Sequence, residues 1–176
     1  MTLPTLTAAT WPSDPDIRPR RRALQLLVGL TDQLHALAHG HLLLTRLVEQ
    51  PDRHTADTLL DTLREIDQVI VTPTDSMALL DLARHHRHVH QLLRDGFGHR
   101  TDALIGLRRL TAPQSFTPGL TVPIDYHHAR AVLEHTLALL DHAGRALTRA
   151  DSLLVGELTA AIQTPTAPQP RPRKRS

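Results

Sequence analysis

The chain has 176 residues, of which 40% are hydrophobic and only 2% aromatic, and its formal net charge is +2. This length supports one domain with a sizeable core, and an apolar fraction made mostly of leucine and alanine predicts helices packed on helices. The absence of cysteine excludes disulfides, thiolate zinc sites and cysteine nucleophiles. Because no signal-peptide pattern and no apolar run of membrane-spanning length is present, we expect a cytoplasmic protein without a membrane span.

Both ends of the chain differ in composition from its middle. Residues 1–19 and 164–176 are rich in proline and threonine and lack periodicity, so we predict disordered tails around a bundle domain at 20–163. The basic runs RPRRR and RPRKR fall in or next to these tails, and without them the body has more carboxylates than basic side chains. The candidate anion- or partner-binding residues are Arg18, Arg20, Arg21, Arg22, Arg171, Arg173, Lys174 and Arg175.

Two helices are predicted in the first part of the chain, at about 20–50 and 54–71. In the first, apolar residues recur at alternating spacings of three and four, which indicates a heptad seam. Three further apolar residues lie off this seam, so the helix is either central in the core or pairs with a second copy of the chain. The seam residues are Leu27, Leu30, Leu34, Leu37, His41, Leu44 and Val48, and the off-seam residues are Val28, Leu43 and Leu47.

The second half of the chain predicts two long helices and a short one. A third helix begins at Asp75 or Ser76 and should break or kink at Gly96-Phe97-Gly98, after which a shorter helical pattern covers 100–111. A loop at 112–124 precedes the last helix, at about 126–163, where leucines recur one heptad apart. Because the first three helices have short links, we predict an all-α, up-and-down four-helix bundle with an extra short helix and disordered basic termini.

A metal site is one hypothesis for the histidine-rich stretch ARHHRHVH, which covers residues 83–90. On a helix, His86 and His90 lie on the apolar face at the i, i+4 spacing that allows two imidazoles to bind one ion. At a rise of about 1.5 Å per residue, His41 and His86 lie about 31 and 34 Å above the base and Asp67 about 26 Å. These four residues form a candidate ligand set for zinc or iron.

A second hypothesis is that these histidines only pack in the core. A buried imidazole is commonly neutral and bonded to a carboxylate or a carbonyl, for which Asp67 is a candidate here. An i, i+4 histidine pair is also a weak signal in a chain with 13 histidines. The Glu-x-x-His pairs of di-iron bundles are absent.

The function follows from what the sequence contains and what it lacks. No phosphate-binding loop, dinucleotide glycine fingerprint or nucleophile elbow is present. We therefore expect a non-catalytic bundle acting through its helix faces and basic arms on a protein partner or a second copy. The alternatives are a zinc- or iron-binding bundle, with enzymatic activity left open, and an accessory nucleic-acid-associated protein acting through its basic termini. The scarcity of aromatic residues for base stacking argues against single-strand recognition.

Overall fold

The computed structural model describes residues 17–49, 56–71, 75–111 and 126–163. Within these ranges the chain is helical and contains no strand, which confirms the all-α prediction. None of the described helices has an apolar stretch that would carry it across a membrane. The predicted tails lie almost wholly outside the described residues. The helices are α1 (Ile17–Glu49), α2 (Ala56–Val71), α3 (Ser76–Leu82), α4 (Arg87–Thr111) and α5 (Tyr126–Gln163).

The long helices form a ring in which α4 packs most extensively on α5, α5 on α1, α1 on α2, and α2 on α4. At one end of the bundle, Arg20 Nη2 donates a hydrogen bond of 3.5 Å to the carbonyl oxygen of Ala161. The start of α1 and the end of α5 therefore lie together, at the end that we call the base. This arrangement confirms the predicted up-and-down bundle.

A heptad seam runs along both α1 and α5. In α5 the leucines predicted one heptad apart are buried, and small residues occupy the alternate seam positions. In α1 the seam is displaced by one residue at several positions from the predicted one, so Leu27, Leu34, His41 and Val48 lie on its flank and are only partly buried. The α1 seam is Ala23, Leu26, Leu30, Gln33, Leu37, Gly40, Leu44 and Leu47, and the α5 seam is Ala129, Leu133, Thr136, Leu140, Ala143, Leu147, Ala150 and Leu154.

The third predicted helix breaks at a different place from the one expected. Helix α4 continues without interruption through residues 96–98, so the prediction of a break there is wrong. The chain instead leaves the helix in a 3₁₀ turn at Ala83–His85, and His86 has φ −107° and ψ 76°. The extra short helix is therefore α3, whereas residues 100–111 form the second half of α4.

The 3₁₀ turn reverses the direction of the chain at the base. Helix α3 packs antiparallel to α4, because Ser76 at its start is hydrogen-bonded to Arg100 in the middle of α4. Leu79 of α3 packs against Gly29 of α1, and His86 after the turn contacts Glu157 near the end of α5. Helix α3 is therefore a short extra helix that approaches the base, and α4 starts from there.

Gly96 remains helical because α5 packs closely against it. A Cβ atom at this position would lie 2.8 Å from Leu147 Cδ2 and 3.4 Å from the carbonyl oxygen of Ala143. A glycine inside a helix costs only about 1 kcal/mol relative to alanine. We infer that the burial of Leu147 and its neighbours between α4 and α5 outweighs this cost.

Candidate functional site

The four predicted metal ligands do not come together in the structure. His86 lies at the base, where its Nδ1 atom is 2.6 Å from Glu157 Oε2. His90 lies one helical turn above it and is partly buried. His41 faces the middle of α5, where it lines a groove with Asp141. Asp141 is 16 residues before Glu157, so His41 and His86 are separated by about 24 Å along the bundle axis.

Asp67 is held by an arginine at the far end of α4. Arg108 donates from Nε and Nη2 to the two carboxylate oxygens of Asp67, at 2.8 and 3.3 Å. These bonds and the charge of Asp67 raise the pKa of Arg108 above its ordinary value. The described residues contain no group of three histidine, aspartate or glutamate side chains placed for one ion. The physical reason is the reversal at the base, which places His86 far below the layer that an unbroken third helix predicts.

A partly buried arginine lies on the packed face of α4, a position that the sequence analysis missed. Arg100 continues the α4 seam, and it donates from Nη1 to Gln33 Oε1 and from Nη2 to Ser76 Oγ. Its guanidinium carbon lies 5.1 Å from the centre of the Phe97 ring. The signal was present, because continuing the phase of α4 through the two glycines places Arg100 on the buried side.

This cluster joins three helices without a carboxylate. Gln33 is fully buried on α1, Ser76 begins α3, and Arg100 lies on α4. Burial lowers the pKa of the Arg100 guanidinium from its ordinary value, and its Nε atom is buried without a hydrogen-bond partner. Because a buried charge is costly unless it is well bonded, we infer that the cluster fixes the position of α3 on α1 and α4.

A solvent-open groove runs between α1 and α5 and has a volume of about 500 Å³. Its apolar lining, which we call the floor, contains the buried Leu37 and Leu140, the partly buried Leu34 and Gly144, and the exposed Ala38. A Cβ atom on Gly144 would meet no atom within 4 Å, so the groove is open above this residue. These features make the groove the candidate functional site.

The rim of the groove is polar and carries more basic than acidic groups. Arg145 Nη2 lies 2.9 Å from Asp141 Oδ2. This ion pair neutralises the carboxylate of Asp141, the acidic residue among those that line the groove. Arg149 and His41 also line the groove, as does Thr148. In the described residues Arg149 has no ion pair, so the rim offers an uncompensated positive charge.

The structure describes some of the basic residues that are predicted to bind an anion or a partner, but not all of them. Arg20, Arg21 and Arg22 are exposed at the base, in the first turns of α1, where the first helix is predicted to begin. Arg18 belongs to the same helix, and its side chain lies outside the described part. Arg171, Arg173, Lys174 and Arg175 also lie outside the described residues, so the structure describes only the α1 part of the two arms.

Comparison of this chain with protein-family models, with curated proteins and with solved structures finds no match in any of the three.

Proposed function

We propose that the protein is a non-catalytic interaction module that binds an acidic amphipathic helix of a protein partner in the groove between α1 and α5. The observation that carries this proposal is the flank of α1 beside the groove. Leu27, Leu34 and His41 repeat there at heptad spacing but are only partly buried by the fold. Leu24 extends the same flank and is 56% exposed.

A helix is the occupant that this spacing fits best. Apolar residues at intervals of three and four on one helix form the surface against which another helix packs its own apolar stripe. The small residues Ala38 and Gly144 in the floor allow a partner backbone to approach closely. An extended peptide would have no exposed strand edge to pair with in the described residues.

The charge of the rim favours an acidic partner. Arg149 faces the groove from α5 without an ion pair among the described residues, whereas Arg145 is paired with Asp141. Glutamate side chains that flank an apolar stripe would complement the charge of Arg149, whereas lysines would be repelled. The expected gain is mainly in specificity and association rate, since charges at an exposed rim contribute little affinity.

Fluorescence anisotropy with two labelled designed peptides tests the proposal. Both are helical and have a leucine stripe at heptad spacing, one with glutamate and the other with lysine at the remaining positions. The full-length chain should bind the glutamate peptide more tightly than the lysine peptide by about three- to tenfold, which corresponds to about 0.7–1.4 kcal/mol. Equal binding of the two peptides would contradict the proposed role of the rim charges.

A pair of alanine variants locates the binding surface. Ala38→Glu places a charge in the groove floor, while Ala138→Glu makes the same change at an exposed position of α5 outside the groove. Only Ala38→Glu should weaken the glutamate peptide, by about tenfold or more. No binding of that peptide by the parent chain, or equal loss in both variants, would refute the proposal. A concentration-dependent dimer that Ala38→Glu dissociates would show instead that a second copy occupies the groove.

A further inference from the structure

The reversal at the base brings two separate basic stretches to the same end of the bundle. The first is the start of α1, with Arg20, Arg21 and Arg22. The second is the turn between α3 and α4, whose arginines are Arg84 and Arg87. All five side chains are exposed, and neither stretch is close to the other along the sequence. We call these five arginines the basal arginine set.

The contacts of α3 and α5 fix the level of both stretches. Leu79 packs against Gly29, and Arg22 lies seven residues nearer the base than Gly29, about 10 Å along α1. Arg84 and Arg87 follow Leu79 by five and eight residues, so the turn also lies about 10 Å nearer the base than Leu79. At α5, His86 contacts Glu157 and Arg20 contacts the carbonyl oxygen of Ala161. These two contacts lie only four residues apart, or about 6 Å.

The basal arginine set is poorly neutralised. Among the described residues, Arg21, Arg22, Arg84 and Arg87 have no ion pair and no hydrogen bond from their side chains. The nearby carboxylate of Glu157 is taken up by His86, which leaves the exposed Asp81 on α3. Elsewhere in the bundle, carboxylates pair with Arg64, Arg108, Arg130 and Arg145. Among the described residues Arg46, Arg94, Arg109 and Arg149 also lack an ion pair, so the basal set is distinguished by the convergence of its arginines at one end.

We propose that the basal arginine set binds the phosphate backbone of a double-stranded nucleic acid. Guanidinium groups match phosphate oxygens in charge and in hydrogen-bond geometry. Residues 84–88 carry no exposed large apolar side chain, while Leu24 and Val28 are exposed beside the arginines of α1. The duplex is therefore preferred for the density of guanidinium groups, and competition with polyglutamate tests it against an acidic protein partner. A duplex is favoured over a single strand because these stretches contain no phenylalanine, tyrosine or tryptophan for base stacking.

This surface is distinct from the groove of the proposed function and predicts a different ligand. Each neutralised phosphate contributes about 0.9 to the slope of log affinity against log salt concentration on duplex DNA. The five arginines of the set therefore contribute at most about 4.5 to this slope, of which we expect about 2 to 4, and basic residues outside the set add to the total if they also contact phosphates. The contact is independent of base sequence, because phosphate contacts carry no sequence information.

Fluorescence anisotropy titrations at several salt concentrations test this proposal. The full-length chain is titrated against a fluorescein-labelled DNA duplex of mixed sequence and about 20 base pairs. The variant Arg84→Ala/Arg87→Ala removes two basal arginines, and its matched control is Arg46→Ala/Arg109→Ala, two exposed arginines away from the base that also lack an ion pair among the described residues. Both change the net charge by the same amount at exposed positions of the bundle. The basal variant should lower the salt slope by about 2 and weaken binding about tenfold or more in low salt. The control should keep the parent slope.

Three results would overturn the proposal. The first is no binding of the duplex by the parent chain at micromolar protein concentration in low salt. The second is an equal loss in the basal variant and its control, which would reduce the effect to net charge. The third is displacement of the duplex by polyglutamate at equal charge concentration, which would identify an acidic protein as the better ligand. Thermal melting of each variant checks that it is folded. Ala38→Glu, which changes the groove and not the base, should bind the duplex like the parent.

Discussion

Two glycines of α4 separate the contribution of helix propensity from that of helix–helix packing. Gly96 and Gly98 both lie inside the helix, two residues apart. A Cβ atom on Gly98 would meet no atom within 4 Å, whereas one on Gly96 would lie 2.8 Å from Leu147 Cδ2 and 3.0 Å from its Cγ. We predict that Gly98→Ala stabilises the protein and that Gly96→Ala destabilises it.

The size of the difference follows from these distances. Both substitutions gain up to about 1 kcal/mol of helix propensity. Only Gly96→Ala requires Leu147 to move, because the added methyl group would lie within 3.0 Å of both its Cδ2 and its Cγ, and Leu147 is fully buried. Overpacking of this kind costs typically about 1–3 kcal/mol. The shared propensity gain cancels when the two variants are compared, so Gly98→Ala should exceed Gly96→Ala in unfolding free energy by about 1–3 kcal/mol.

Urea unfolding of both variants and the parent measures this difference directly. Parallel transitions with equal m-values allow the midpoints to be compared as free energies. In thermal melts, a difference of 1 kcal/mol corresponds to about 2–4 °C for a domain of this size. If Gly96→Ala is stabilised as much as Gly98→Ala, then α5 does not pack against Gly96 as the structure shows. The explanation given for the unbroken helix would then be incorrect.

Three further predictions concern the contacts that hold α3 and the base. Leu79→Ala should lower the free energy of unfolding in urea by about 2–5 kcal/mol. The loss should be smaller in a Gly29→Ala background, because the added methyl group occupies part of the space left by Leu79. Additive losses in the double variant would contradict the contact between Leu79 and Gly29. Gln33→Leu should destabilise the protein by about 1–3 kcal/mol because Arg100 loses a buried hydrogen-bond partner. In a double-mutant cycle, Gln33→Leu combined with Arg100→Leu should lose less stability than the sum of the two single losses. His86→Ala should leave the zinc content of the purified protein unchanged in mass spectrometry, since its carboxylate contact is not part of a three-ligand cluster; loss of stoichiometric zinc would restore the metal-site hypothesis.

The sequence was sufficient to predict the helices and much of what they bury. In α5, Leu133, Leu140, Leu147 and Leu154 are one heptad apart and all four are buried. This succeeded because a long helix in a bundle repeats the same environment every two turns, so its pattern is local and redundant. In α1 the apolar residues cover a wider arc, and the pattern alone did not distinguish the buried seam from the flank with Leu27 and Leu34.

The candidate site depended on information that the sequence does not display locally. The groove combines residues more than 100 positions apart, such as Ala38 and Gly144, so its existence depends on which helices become neighbours in the ring. The sequence also did not show that Arg84 and Arg87 lie at the same end of the bundle as the start of α1. Their neighbours depend on the direction of α3, which a helical pattern alone does not specify.

The break in the third helix shows where local and tertiary effects conflict. Gly96 and Gly98 were the local signals for a break, but their cost of about 1 kcal/mol each is small beside the apolar surface that α4 buries against α5. The actual break at Ala83–His85 contains neither glycine nor proline. By itself, the sequence determined that this chain forms long amphipathic helices with a leucine seam. Only the tertiary structure decided that the chain reverses at the base, because that reversal buries Leu79 against Gly29 and joins Ser76 to Arg100, contacts that form only when α1, α3 and α4 are packed together.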